Sequence, residues 1–93
     1  MTPGELSEQL MQQSAEYSKY AEELAEVLRS KSVAWMEVRK RTSSDKQADR
    51  EWDATVEGMM EMSHRLRLKA LEKSMSAIRT RLRILEGEAR NMY

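Results

Sequence analysis

The sequence predicts an all-α protein with two long helices and a short one between them. Good helix formers (Met, Leu, Ala, Glu, Arg and Lys) supply most of its 93 residues, whereas Gly occurs three times, Pro once and Phe not at all. No segment alternates β-branched or aromatic residues with polar ones, as a strand would. Apolar residues instead recur every three to four positions, which is the period of an amphipathic helix.

The first helix is predicted over about residues 3–41. Thr2 is a suitable cap, Pro3 fits the first turn, and Glu5 is placed to complete a capping box. Neither Gly nor Pro interrupts the rest of the segment, and Lys31 is a charged residue on its core-facing row. The apolar members of that row are Leu6, Leu10, Tyr17, Tyr20, Leu24, Val27, Leu28, Ala34, Trp35 and Val38.

A short connecting region, which we call the elbow (residues 42–55), separates the long helices. Its hydroxyl-rich start, residues 42–44, ends the first helix because these side chains compete for backbone hydrogen bonds. Ser44 followed by Gln47 predicts a capped short helix over about 45–53, and Thr55 predicts the next cap. The elbow is too short for anything except folding the long helices back on each other as an antiparallel hairpin.

The third helix is predicted over about residues 56–91, the end of a single domain spanning 1–93. Apolar residues at alternating steps of three and four indicate a coiled-coil-like seam of just over three heptads. Gly87 weakens this helix by up to about 1 kcal/mol relative to Ala. The seam consists of Leu68, Leu71, Met75, Ile78, Leu82, Leu85, Ala89 and Met92.

A homo-oligomeric bundle is the expected assembly. Two packed helices form a thin core, and the chain has no cysteine with which a disulfide could reinforce it. Met11, Tyr20, Leu66 and Ile84 are apolar residues that lie off the main seams. We therefore expect the hairpins to associate as a homodimer or higher homo-oligomer, most simply as a dimeric four-helix bundle.

The charges sum to zero but are grouped by sign along the chain. Residues 1–28 hold six Glu and one Lys, whereas residues 64–83 hold seven basic residues and one Glu. An antiparallel hairpin places the acidic start of the first helix beside the arginines of 79–83. It also places the basic residues 39–41 beside Glu57 and Glu61. Such exposed pairs select the register more than they stabilise it.

One basic group lacks obvious partners, since only Glu26 and Glu72 lie nearby to offset it. Unpaired like charges are typical of sites for phosphate or an acidic protein surface. The alternative is a solvated surface, or one neutralised by glutamates of a neighbouring subunit. Zero net charge and the absence of interleaved aromatic residues argue against general nucleic-acid binding. This basic cluster consists of Arg29, Lys31, Arg65, Arg67 and Lys69.

The aromatic and methionine residues near the elbow have two interpretations each. Trp35 and Trp52 are expected to pack on each other and close the end of the bundle. Alternatively they are exposed anchors for a protein partner. Met59, Met60 and Met62 cannot all face the core, so at least one forms an adaptable contact surface.

Catalytic, metal and membrane functions find little support. Glu61 and His64 have the Glu-x-x-His spacing of di-iron bundles, but with a single histidine we expect a partly exposed side chain and no metal. No nucleophile elbow or Gly-rich loop is present, so we predict no enzyme, catalytic residue or cofactor.

No run approaches the roughly 18 apolar residues of a membrane span, and the acidic start is unlike a secretory signal. A cytoplasmic protein is expected.

The chain resembles short helical proteins encoded by tailed bacteriophages, often near recombination or early-acting genes. This resemblance implies a host-cell setting and a host or phage protein as the partner, which is bound and blocked or scaffolded, as anti-CRISPR proteins do. The alternatives are a nucleic-acid- or nucleotide-binding accessory factor of phage recombination, and sequestration of a small anionic signalling nucleotide. The resembling positions are Trp35-Met36-Glu37-Val38-Arg39, Asp49, Trp52, Thr55, Gly58, Leu71-Glu72-Lys73, Ser76, Leu82-Arg83 and Glu88-Ala89-Arg90-Asn91.

Overall fold

The computed structural model describes residues 1–91 and contains three helices: α1 (Pro3–Arg41), α2 (Asp45–Asp53) and α3 (Val56–Asn91). The all-α prediction is confirmed, and no strand occurs among residues 1–91. The molecule is elongated, with extents of 69 × 20 × 15 Å. Met92, the last residue of the predicted seam, lies outside the described residues. None of the helices in the described part combines the length and apolarity needed to cross a membrane.

Side-chain caps define the three helix starts, as predicted. The hydroxyl oxygen of Thr2 accepts a hydrogen bond from the Glu5 backbone amide at 3.1 Å. Ser44 accepts one from the Gln47 amide at 3.2 Å, and Thr55 accepts one at 3.0 Å from the amide three residues on. Each cap satisfies an amide that has no partner within its own helix. The two interruptions between helices, at residues 42–44 and 54–55, are therefore specified by local hydrogen bonds.

Contacts between α1 and α3 run in opposite order along the two helices. As residue numbers rise along α1, the numbers of their partners on α3 fall. These contacts join residues 14–31 of α1 to residues 61–75 of α3. The side-chain pairs are Ser14–Met75 (3.5 Å), Tyr17–Glu72 (2.8 Å), Glu23–His64 (3.0 Å) and Lys31–Glu61 (2.8 Å).

The core is a single narrow layer between the helices. Most of the remaining seam residues are only half-buried, because each long helix has one neighbour along most of its length. Much of each helix surface is therefore open to other molecules. The buried apolar residues are Leu6, Leu24, Val27, Val38, Ala48, Trp52, Met75 and Ile78.

Gly58 allows the first turn of α3 to lie directly against the end of α2. A Cβ atom at this position would be 1.9 Å from the carbonyl oxygen of Trp52 and 2.9 Å from the Cα of Asp53. Both are backbone atoms, so no side-chain movement can make room. The residues around Gly58 in the sequence do not show that a glycine is needed there for close packing between helices.

Candidate functional site

Glu61 connects all three helices. Its carboxylate lies on α3, is 13% exposed, and is 2.8 Å from the Nζ of Lys31 on α1. The indole Nε1 of Trp52 on α2 donates to it at 3.0 Å. The Nε of Arg65, one turn further along α3, donates to the other carboxylate oxygen at 3.0 Å. A single carboxylate therefore accepts from two cations and one neutral donor.

These donors keep Glu61 ionised. Burial by itself would raise the pKa of this carboxyl group, because a charge is less stable away from water. Hydrogen bonds from Lys31, Trp52 and Arg65 outweigh that effect and lower the pKa below its ordinary value. The negative charge of Glu61 is thus part of the folded structure at neutral pH.

The basic cluster is not a group of unpartnered charges, and this expectation is wrong for two of its five members, Lys31 and Arg65. Lys31 and Arg65 share Glu61. The guanidinium of Arg67 lies 5.0 Å from the ring centre of Tyr20 and donates to its hydroxyl. The physical reason is that Glu61 lies on the side of α3 that faces Lys31. Within residues 1–91, Arg29 and Lys69 have no ion pair.

His64 is buried, so the expectation of a partly exposed histidine is wrong. Its Nε2 lies 3.0 Å from a carboxylate oxygen of Glu23, and its ring is 5.6 Å from that of Tyr20. The approach to Glu23 is close but lies off the direction of a hydrogen bond, and neither ring nitrogen makes one. Glu61 and His64 thus have separate partners. No group of three metal-ligating side chains occurs in the described part of the chain.

The two tryptophans occupy different environments, so the expectation that they pack on each other is wrong. Trp52 is only 2% exposed, and the Lys31 ammonium lies 5.5 Å from its ring centre. Trp35 is half-buried and donates its indole N–H to Asp49 at 2.8 Å. Each indole is held by a different carboxylate, and no ring–ring contact joins them within the described residues. Trp35 is therefore the one with surface available to a partner.

The predicted ion pairs between the long helices are also wrong. Arg39 pairs with Asp45 at the start of α2, at 2.7 Å, and Lys40 pairs with Glu37 within α1, at 3.3 Å. These partners are close in sequence and leave Glu57 without an ion pair among residues 1–91. The same holds for the arginines of 79–83 and the acidic start of α1.

Large apolar side chains are exposed mainly at the elbow end of the molecule. Met59, Met60 and Met62 are all exposed, which confirms that they cannot share the core. Leu66, which the sequence places off the main seams, is also exposed, and so are three residues that were not singled out in the sequence as a contact surface: Val33, Met36 and Val56. We call the full set the elbow surface: Val33, Met36, Val56, Met59, Met60, Met62 and Leu66.

Similarity to known proteins provides no further guide to this surface. The chain matches no protein-family model, no curated protein and no solved structure with which it was compared.

Proposed function

We propose that the protein is a non-catalytic interaction protein, a helical hairpin whose elbow surface binds a larger protein and blocks or scaffolds it. The observation that carries this proposal is the exposure of seven large apolar side chains at one end of the molecule. Fully burying such a side chain contributes about 1.5–3 kcal/mol. We take these side chains to form one contact surface, because contiguous exposed apolar groups are typical of protein contact surfaces.

The elbow supports recognition because it is tied to the long helices. Trp52 and Glu61 join α2 to α3, and Lys31 joins both to α1. The partner would therefore meet ordered helix faces, which lowers the entropy lost on binding. Methionine side chains add adaptable contacts, and Trp35 is a candidate anchor at the edge.

A binding role is favoured over catalysis by the positions of the two titratable groups that the sequence singles out. Glu61 is occupied by three donors, and His64 lies buried against Glu23 and Tyr20. Both side chains thus lie in contacts between helices. The resemblance to phage proteins makes a host or phage protein in the cytoplasm of the infected cell the proposed partner class.

The test begins with capture of the partner from the cells that make the protein and ends with affinities for the purified partner. The elbow variant Met36→Glu/Met59→Glu should bind at least about tenfold more weakly, since one lost apolar contact of about 1.4 kcal/mol has that effect. Met11→Glu is the matched control, because Met11 is 74% exposed at the other end of α1. Equal affinity of the two variants, both helical by circular dichroism, would contradict the elbow surface as the binding site.

A nucleic-acid- or nucleotide-binding role is the second candidate. It is supported by exposed basic residues of α3 that have no ion pair within residues 1–91: Lys69, Lys73, Arg79, Arg81 and Arg83. Binding to a labelled oligonucleotide should then weaken steeply as salt rises. No binding at low salt dismisses this candidate.

A further inference from the structure

The side of α3 that faces away from α1 carries an exposed apolar row with basic margins. Leu66 is 61% exposed and Ile84 is 48% exposed, and Ala70 and Ala77 between them are also exposed. Their spacing places them opposite the buried Met75 on the helix. A shallow depression on this face lies over residues 72–84 and includes the acidic Glu72. The basic residues beside the row are Lys69, Lys73 and Arg81.

The side of α1 that faces away from α3 has the opposite charge. Met11 and Ala15 form an exposed apolar row in its first half. Glutamates Glu8, Glu22 and Glu26 lie beside this row, are exposed, and have no ion pair within the described residues. The exposed Lys19 lies among them, so the face is acidic on balance. One molecule therefore presents an acidic face and a basic face, each with an apolar centre.

The apolar and charged residues of the two outer faces also lie at similar positions along the long axis of the molecule. Contacts within one copy, such as Ser14–Met75 and Tyr17–Glu72, set the register of α1 against α3. A second copy displaced sideways, without a shift along the axis, would place its α1 beside the outer face of α3 in that same register. Both helices rise equally per residue, so the match holds along their length. Glu8 is then level with Arg81 and Met11 lies within one residue of the level of Ala77, whereas Glu22 lies two residues, about 3 Å, along the axis from Lys69.

We infer that the occupant of the α3 outer face is the α1 outer face of a second copy, so that molecules associate side by side. This inference rests on the proposed hairpin and names the surface through which copies of it bind each other. The contact is heterologous, and each added copy leaves one face of each kind available. Association is therefore open-ended, unlike the closed four-helix dimer that the sequence suggests.

Sedimentation velocity of the full chain, over a range of protein and salt concentrations, tests the inference. At low salt the mean mass should rise beyond two copies as protein concentration increases. High salt should reverse the effect, because it screens exposed charges. A chain that stays monomeric at every concentration would overturn the inference, and so would a mass that stops at two copies.

Charge reversal on each face identifies the contact. The acidic-face variant Glu8→Lys/Glu22→Lys and the basic-face variant Lys69→Glu/Arg81→Glu should each lose about tenfold or more in association constant, because like charges then meet. Mixing the two variants should restore association, since each then offers the complementary face to the other. Glu51→Lys/Glu57→Lys alters net charge as much as the acidic-face variant, lies off both faces, and should associate like the parent. Failure of the mixture to recover would overturn the assignment.

Failure of this inference can be told apart from failure of the proposed function. Affinity for the larger partner is measured with the elbow variant at concentrations where the chain is monomeric. Normal partner binding by a chain that never self-associates overturns only the side-by-side contact. Salt-sensitive association with no effect of the elbow variant on partner binding supports the contact and contradicts the elbow surface.

Discussion

Among single residues, Glu61 has the widest influence because its carboxylate joins side chains from all three helices. It neutralises two of the basic residues that the sequence groups together and fixes the position of the buried Trp52. The sequence contains one signal of this contact, which is Lys31 on the core-facing row. A cation on a buried stripe requires a carboxylate opposite it. Which carboxylate it meets depends on the rotation of α3, which the sequence pattern does not specify.

We expect Glu61→Gln to lower the free energy of unfolding at pH 7 by about 1–3 kcal/mol, the usual contribution of charge-assisted hydrogen bonds. The folded-state pKa of Glu61 lies below the ordinary value of 4.5. Its contribution is therefore present above pH 4.5 and is lost as pH falls through the folded-state pKa. Urea unfolding at several pH values should show a shallower acid decline for the variant than for the parent chain.

The control is Glu57→Gln, one turn earlier on α3, where the carboxylate is exposed and has no ion pair within residues 1–91. This variant should unfold within about 0.5 kcal/mol of the parent, as surface changes usually do. Equal stabilities of the two variants across the pH range would contradict the central role of Glu61.

Gly58 and Gly87 provide a matched pair of positions for testing how closely α2 and α3 pack. In a helix interior Ala is normally better than Gly by about 1 kcal/mol, and Gly87→Ala should gain that much because its Cβ meets nothing within 4 Å. Gly58→Ala should instead lose about 1–3 kcal/mol, since backbone atoms of α2 must move. Thermal unfolding of both variants checks the prediction, and a gain in stability at both positions would show that α2 and α3 do not pack this closely.

Local signals in the sequence are sufficient to predict where each helix begins and which side of it is apolar. The caps at Thr2, Ser44 and Thr55 follow from short-range hydrogen bonds, and the apolar rows of α1 and α3 follow from the helical period. Contacts between helices are different, because a small rotation changes which side chains meet. For this reason Arg39 pairs with Asp45 rather than Glu57, and the two tryptophans bind separate carboxylates.

The docking of α2 depends mainly on Trp52. Trp52→Ala should lower the free energy of unfolding by about 3–5 kcal/mol, as is usual for a large buried aromatic. Trp35→Ala should have a clearly smaller effect, because Trp35 is only half-buried and its indole bonds to the exposed Asp49. Chemical denaturation of both variants measures the difference. Similar losses at the two positions would mean that the tryptophans act together, as one packed pair.

For the molecule as a whole, shape explains why the chain is suited to binding. A body of 69 × 20 × 15 Å has a single thin core and leaves the outer faces of both long helices uncovered. Small domains with thin cores commonly gain stability by association. The elbow surface shares Leu66 with the outer face of α3, and its other members lie nearer the elbow than the charged residues of the two outer faces.

The proposed antiparallel hairpin of α1 and α3 is the basis of every surface described above, and a distance between the ends of the two helices far from the elbow tests it most directly. The chain contains no cysteine, so spin labels can be attached at Ser7→Cys and Arg83→Cys, both exposed positions. The labelled protein is diluted with unlabelled protein, so that neighbouring copies add no signal.

Pulsed electron paramagnetic resonance should report a narrow distance distribution, no longer than the 20 Å width of the molecule plus the reach of two labels. A straight helical rod would separate these positions by on the order of 110 Å and show no dipolar coupling. The short, narrow distance is the result that the hairpin predicts, and a missing or very broad coupling would contradict it.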